Sequence, residues 1–182
     1  NEKLKNFKKS KEIAQALEEL NIDVSVEKVY FDTLIILNDP ILSYEKRTEL
    51  LFEIFKENKI IQRIFATFLI QSNREFFFSN IDMFDCDKLI YILWYQKKEL
   101  YSAKNYINSV STSSDFDLNI LILINKYQKD IKTNLTFEFI CNSCKHSSPF
   151  YEARCPNCHS ILSLEVKHHL TKAYELSNQS LQ

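Results

Sequence analysis

Apolar residues recur at helical spacing through most of the chain and give way to a two-residue alternation only in its last quarter. Leu4, Phe7, Ile13, Ala14 and Leu17 make an apolar stripe among lysines and glutamates, which predicts a first helix over 2–20 broken by Asn21-Ile22-Asp23. A second, strongly apolar helix is expected over 25–37. Asn38-Asp39-Pro40 ends it, because the residue before a proline avoids helical backbone. Ser43 then caps a third helix, with Lys46 where a full capping box would carry glutamate, and Leu50, Leu51, Ile54 and Phe55 turn to a core. A fourth helix is expected over 60–71, followed by the aromatic run Phe76-Phe77-Phe78. The pattern continues with a fifth over 85–97, a sixth over 101–110 and, after the Ser111-Thr112-Ser113-Ser114 loop, a seventh from Asp115 to about Lys132. Joints this short leave no room for crossovers, so successive helices are expected to pair as antiparallel hairpins.

Residues 89–107 carry a tetratricopeptide-like pattern: an aromatic-rich helix, a turn at Lys98, and a second helix with Ala103 at the closest approach. Ile90, Trp94, Leu100 and Ile107 fall near the other signature positions, and no second unit aligns at the same period, so the hairpins read as degenerate. Further on, Leu135 to Ile140 alternates as a strand and Ile161 to Leu164 is placed to return beside it. Leu164, Val166, Leu170, Ala173 and Leu176 suggest one more helix in the tail. The expected fold is therefore mainly α, with a helical hairpin scaffold over 1–133, a small β zinc ribbon over 134–166, and a helical C-terminal tail over 167–182. Stacked hairpins of this kind bind a peptide or protein in their concave face.

Composition removes several function classes. The 182 residues contain no glycine, so neither a phosphate-cradling loop nor a dinucleotide fingerprint can be built. A net charge of -1 lacks the positive field of a dedicated nucleic-acid binder. Apolar runs such as Ile64 to Ile70 fall far short of the ~20 residues a membrane helix needs, so no span is expected in this chain. Lys3, Lys5, Lys8, Lys9 and Lys11 at its start read as a solvated helix face, the alternative being the flank of a removed upstream anchor. Asp85 with Asp87 and Asp115 with Asp117 sit at helix starts, where capping and the helix dipole explain them. No Ser-His-Asp or Cys-His set is assembled, and the chain reads as a non-enzyme.

One chemical signal stands out. Cys141-Asn142-Ser143-Cys144 and Cys155-Pro156-Asn157-Cys158 are two C-x2-C knuckles ten residues apart. Two thiolates at i and i+3 of a tight turn can touch one ion, and a second knuckle completes a tetrahedron, so Cys141, Cys144, Cys155 and Cys158 are the expected metal ligands. The alternative is two disulfides, which require an oxidising compartment; Cys86, a fifth and lone thiol, suits a reducing cytoplasm instead. Zinc is the expected ion. Iron in the same thiolates would make a one-electron carrier, but electron-transfer knuckles are generally followed by glycine, and here Lys145 and His159 occupy those positions. His146, His159, His168 and His169 lie nearby and are expected outside the ligand set. With Lys145, Arg154 and Lys167 they make this end locally basic, and Phe150 and Tyr151 can stack on bases, which keeps a nucleic-acid-binding ribbon as an alternative. The competing reading is that the cations offset the charge of a four-thiolate zinc and that the two aromatics cover the ribbon's small core.

Helical hairpins running into Phe139-Ile140-Cys141-Asn142-Ser143-Cys144, then Phe150-Tyr151 and Cys155-Pro156-Asn157-Cys158, resemble the C-terminal part of the lipopolysaccharide assembly protein B (LapB) family. The specific similarity covers about 137–160, with weaker support over 85–132. It implies a tetratricopeptide-type array ending in a rubredoxin-like module, with Cys141, Cys144, Cys155 and Cys158 holding the metal. It also implies a non-enzymatic adaptor at the cytoplasmic face of the inner membrane, whose partners are a membrane AAA protease and the envelope-synthesis enzyme that the protease degrades.

Overall fold

A computed structural model describes residues 2–96 and 133–172. Six helices come first: α1 (Glu2–Glu19), α2 (Ser25–Asn38), α3 (Tyr44–Glu57), α4 (Gln62–Ser72), α5 (Arg74–Ser79) and α6 (Cys86–Gln96). Short 3-10 turns at Lys59–Ile61 and Ile81–Met83 lead into α4 and follow α5. Three strands, β1 (Thr133–Cys141), β2 (Ser147–Ser148) and β3 (Leu164–Lys172), form an antiparallel sheet in the order β2-β1-β3. The described chain is thus mainly helical with a small β module at its C-terminal end. The helices expected over 101–110 and from Asp115, and the second half of the tetratricopeptide-like unit, lie outside the described residues.

Local chemistry sets the helix ends. Asp39, before Pro40, takes φ -73 and ψ 113, the extended backbone that proline imposes on its predecessor. Ser43 Oγ accepts the Lys46 N–H, satisfying one of the four unpaired donors at the start of α3. Asn73 caps α5 in the same way through Phe76 N–H, which is how the aromatic run becomes a helix of its own rather than an extension of α4.

The helical core is aromatic. Phe55, Phe65 and Phe77 are fully buried and meet around Phe84, with ring centroids 4.5 Å (Phe55), 5.9 Å (Phe65) and 5.0 Å (Phe77) from it. Leu51, Ile61, Leu69, Leu89 and Ile90 fill the space between them. The sheet is not a separate body: Phe137, Leu162 and Val166 pack against this same cluster. The β1–β3 register pairs Phe139 with Val166 and Cys141 with Leu164. One face of the hairpin is therefore apolar toward the helices, while Glu138, Lys167 and His169 lie on the other.

The tail departs from expectation. Residues 164–172 form β3 rather than a helix. Leu164, Val166 and His168 alternate with Glu165, Lys167 and His169, a two-residue period that suits a strand, and the long β1 offers a full edge for it to pair with. The returning segment therefore begins at Leu164, and Ile161 instead makes an isolated bridge with Arg154.

Candidate metal centre

The two knuckles are built alike. Lys145 N–H donates to Cys141 O (2.9 Å) and Cys141 N–H to His146 O (2.9 Å); in the second, His159 N–H donates to Cys155 O (3.0 Å) and Cys155 N–H to Ser160 O (2.9 Å). Each loop closes on a residue in the left-handed region, Lys145 at φ 61 and His159 at φ 63. These are the positions where glycine is the easy choice, and a residue with a Cβ pays about 1 kcal/mol or more there. The knuckle geometry is kept in spite of that cost.

β1 delivers Cys141 at its end, the turn beyond it delivers Cys144, and the loop between β2 and β3 supplies Cys155 and Cys158. All four Sγ atoms lie within 4.8 Å of one another. Cys141 and Cys158 are separated by 3.6 Å and Cys144 and Cys155 by 3.7 Å. A tetrahedron of sulfurs at about 2.3 Å from a zinc ion has edges of about 3.8 Å, so the donor set fits such an ion in size as well as chemistry. None of the cysteines is in a disulfide. Cys141 and Cys155 are fully buried, Cys144 is half-buried and Cys158 is exposed.

Dipoles converge on the sulfurs. Ser163 Oγ lies 3.3 Å from Cys141 Sγ, and this hydroxyl, followed by the Cys144 and Ser143 amides, holds the Cys141 thiol down to about 5. Asn157 Nδ2 donates to Cys144 Sγ at 3.5 Å and, with the His146 amide, lowers that thiol too. At Cys155 the Cys158 amide also favours the thiolate, but burial and the adjoining Cys141 and Cys158 sulfurs push it up to about 11. The first negative charges in the cluster are thus well supported and the next are repelled, an imbalance that a bound dication removes.

Among the described residues no histidine joins the sulfur cluster. His169 instead faces Glu138 across the hairpin at 3.3 Å, and Glu138 also accepts from Ser147 Oγ at 2.9 Å. Phe150 is 73% exposed, whereas Tyr151 turns inward. Tyr151 meets Tyr91 of α6 and Phe139 of β1, each with ring centroids 5.7 Å away, and Tyr91 stands edge-on to Phe139 at 4.9 Å. This aromatic triangle seats the ribbon on the helices.

Arg63 completes the seat and is the residue that sequence reading missed. It is 7% exposed on α4. Its Nη1 donates to Leu164 O of β3, its Nε donates to Lys88 O at 3.3 Å, and its Cζ lies 4.9 Å from the Tyr151 ring centroid. Leu164 is the β1 partner of Cys141, so this guanidinium bonds the helices to the strand pair that carries one of the four clustered cysteines. The available signal was a charged residue on the apolar stripe of Arg63, Ala66 and Ile70, all of them buried.

The seat carries a pH dependence. Burial raises Tyr91 well above the ordinary tyrosine value of 10.0, the nearby Tyr151 raises it further, and Arg63 opposes both. Tyr151 is raised by burial against the opposing charge of Arg63. A folded value above the unfolded one means the folded chain holds these protons more tightly. Their contribution is fully present below pH 10 and is lost as pH rises beyond it. Alkaline unfolding of the protein, followed by tyrosinate absorbance and circular dichroism together, should show Tyr91 and Tyr151 ionising only with unfolding. In Tyr91→Phe one tyrosine fewer should ionise in the coupled step.

Comparison of the chain with protein-family models, with curated proteins and with solved structures finds no match. Among the described residues, no helix is long and apolar enough to cross a membrane.

Proposed function

We propose that the protein is a non-enzymatic, metal-stabilised adaptor: a helical scaffold whose four-thiolate ribbon is a structural zinc site and whose helices receive a protein partner. The observation that carries this reading is the donor set itself. Four cysteine sulfurs within 4.8 Å of one another are enough to fill a tetrahedral coordination sphere, and a filled sphere organises a fold rather than activating water or substrate. Zinc, when bound, supplies charge and cross-linking. Cys141, Cys144, Cys155 and Cys158 hold it, Ser163 and Asn157 orient two of the sulfurs, and Arg63 transmits the ribbon's position to α4. The resemblance to the LapB family extends the proposal to degenerate tetratricopeptide-like hairpins. It also extends it to a place in the cytoplasm at the inner-membrane face, with a membrane AAA protease and its substrate as partners.

A second reading, a rubredoxin-like electron carrier with iron, is favoured by the amide donors on Cys141 and Cys155 and by the exposure of Cys158. Affinity capture from the native cell with the full chain, with a variant lacking all four ligand cysteines as control, tests the leading reading. Recovery of the protease and an envelope-synthesis enzyme by the intact chain is the expected result. Recovery of ribosomes or RNA polymerase in their place discards the adaptor role, and a red protein that bleaches on reduction selects the electron carrier.

A further inference from the structure

A cleft of about 330 Å³ opens beside the seat, between the start of α4, the start of α6 and the ribbon. Its lining includes Lys59, Arg63, Lys88, Gln62, Tyr151 and Glu165. Three cationic side chains there face one carboxylate, in a chain whose net charge is -1. Overall composition therefore does not account for the concentration of positive charge.

The partners of those cations are almost all neutral. Arg63, at 7% exposure, spends its described bonds on the Leu164 and Lys88 carbonyls and on aromatic rings, with no carboxylate paired to it among the described residues. Lys59 Nζ reaches Met83 O at 3.3 Å and lies 3.7 Å from the Phe55 ring centroid. Among the described residues, Lys88 alone of the three has an ion pair, with Asp85 at 3.5 Å, on an exposed surface. Gln62 gives its oxygen to Asp85 N–H at 3.0 Å, so its NH2 remains as a donor for a ligand. A guanidinium withdrawn from water without an anion is costly, and carbonyl dipoles and ring faces repay that only in part. A tetrahedral oxyanion is the group that a guanidinium fork and two ammonium groups match best.

We propose that this cleft binds a small phosphate-bearing anion, held by Arg63 at its floor and by Lys59 and Lys88 at its rim. Its volume is at the small end of the ~300–1,000 Å³ typical of ligand sites, enough for phosphate or a short phosphomonoester and too small for a nucleic-acid strand. The site is independent of the adaptor reading: it requires the ribbon to be seated, not any particular client. A bound anion would bridge α4, α6 and the ribbon and so tighten the seat.

The test is calorimetric titration of the zinc-loaded full chain with inorganic phosphate and, separately, glycerol 3-phosphate, with ionic strength held constant by potassium chloride. Saturable binding at one site is expected, weakened at least about tenfold in Lys59→Gln/Lys88→Gln and unchanged in Lys8→Gln/Lys9→Gln, which removes two exposed charges from α1. Circular dichroism checks that each variant is folded, and the rim pair keeps the test valid if Arg63→Gln does not fold. Tighter binding of the ester assigns the cleft to a phosphorylated small molecule, and equal affinity assigns it to free phosphate. No saturable heat from the unaltered chain, or equal weakening by the α1 substitutions, overturns the proposal.

Discussion

Cys155→Ser is expected to abolish stoichiometric zinc binding and to unfold the ribbon while most of the helical circular dichroism survives. Cys155 Sγ is fully buried and lies 3.7 Å from Cys144 Sγ, so a serine leaves three thiolates and a poor fourth donor on the buried side of the site. Structural zinc contributes roughly 10–16 kcal/mol to the folding of zinc-finger peptides, more than a sheet of three strands, one only two residues long, can replace. The helices have their own core around Phe55, Phe65, Phe77 and Phe84, which contains none of the four knuckle cysteines. They lose the cover of Phe137, Leu162 and Val166, so their melting temperature should fall even though their helicity persists. Loss of the whole helical signal would mean that the ribbon is integral to the helical core.

Arg63→Met is the second large effect. Methionine keeps much of the packing volume but leaves the Leu164 and Lys88 carbonyls without their donor and the Tyr151 ring without its cation. Hydrogen bonds from a charged group are worth about 1.5–3 kcal/mol each, so a loss of about 2–4 kcal/mol in stability is expected. A zinc-release readout separates this role from plain core packing. Chelator competition should extract the metal faster from Arg63→Met than from the unaltered chain, because Leu164 pairs with Cys141 across the hairpin. A core substitution remote from the seat, such as Leu51→Ala, should destabilise the helices without that acceleration. Equal rates of zinc release in the two variants would reduce Arg63 to an ordinary buried residue.

Much of this could be read in advance where the determinants are local. Pro40 forces its predecessor out of the helix, Ser43 accepts from a backbone donor three residues on, and the spacing of two C-x2-C knuckles picks out the four cysteines whose sulfurs the fold gathers within 4.8 Å of one another. What escaped depended on partners far along the chain. Arg63 and Leu164 are 101 residues apart, and nothing in the helix around Arg63 announces a strand carbonyl waiting for it. The strand over 164–172 is hidden in the sequence because Leu164, Val166 and Leu170 fit a helical face when considered alone, while 173–182 of the expected tail helix lie outside the described residues. Pairing with β1 makes the two-residue alternation decisive. The absence of glycine at Lys145 and His159 argues against an electron-transfer iron site, yet both residues adopt the left-handed backbone that glycine would have taken. The turn's own hydrogen bonds, Lys145 N–H to Cys141 O and His159 N–H to Cys155 O, compensate for the steric cost. Residue type at a turn is thus a weaker constraint than the bonds that the turn closes.

In the proposed function Cys141, Cys144, Cys155 and Cys158 close around one zinc ion and thereby hold the ribbon on the helices. Elemental analysis combined with X-ray absorption at the metal edge of the purified full chain tests it most directly. One zinc per chain is expected, bound by four sulfurs at about 2.3 Å with no nitrogen or oxygen neighbour. Iron in the site, a light-atom ligand in the sphere, or metal-free protein with its knuckle cysteines oxidised would contradict it.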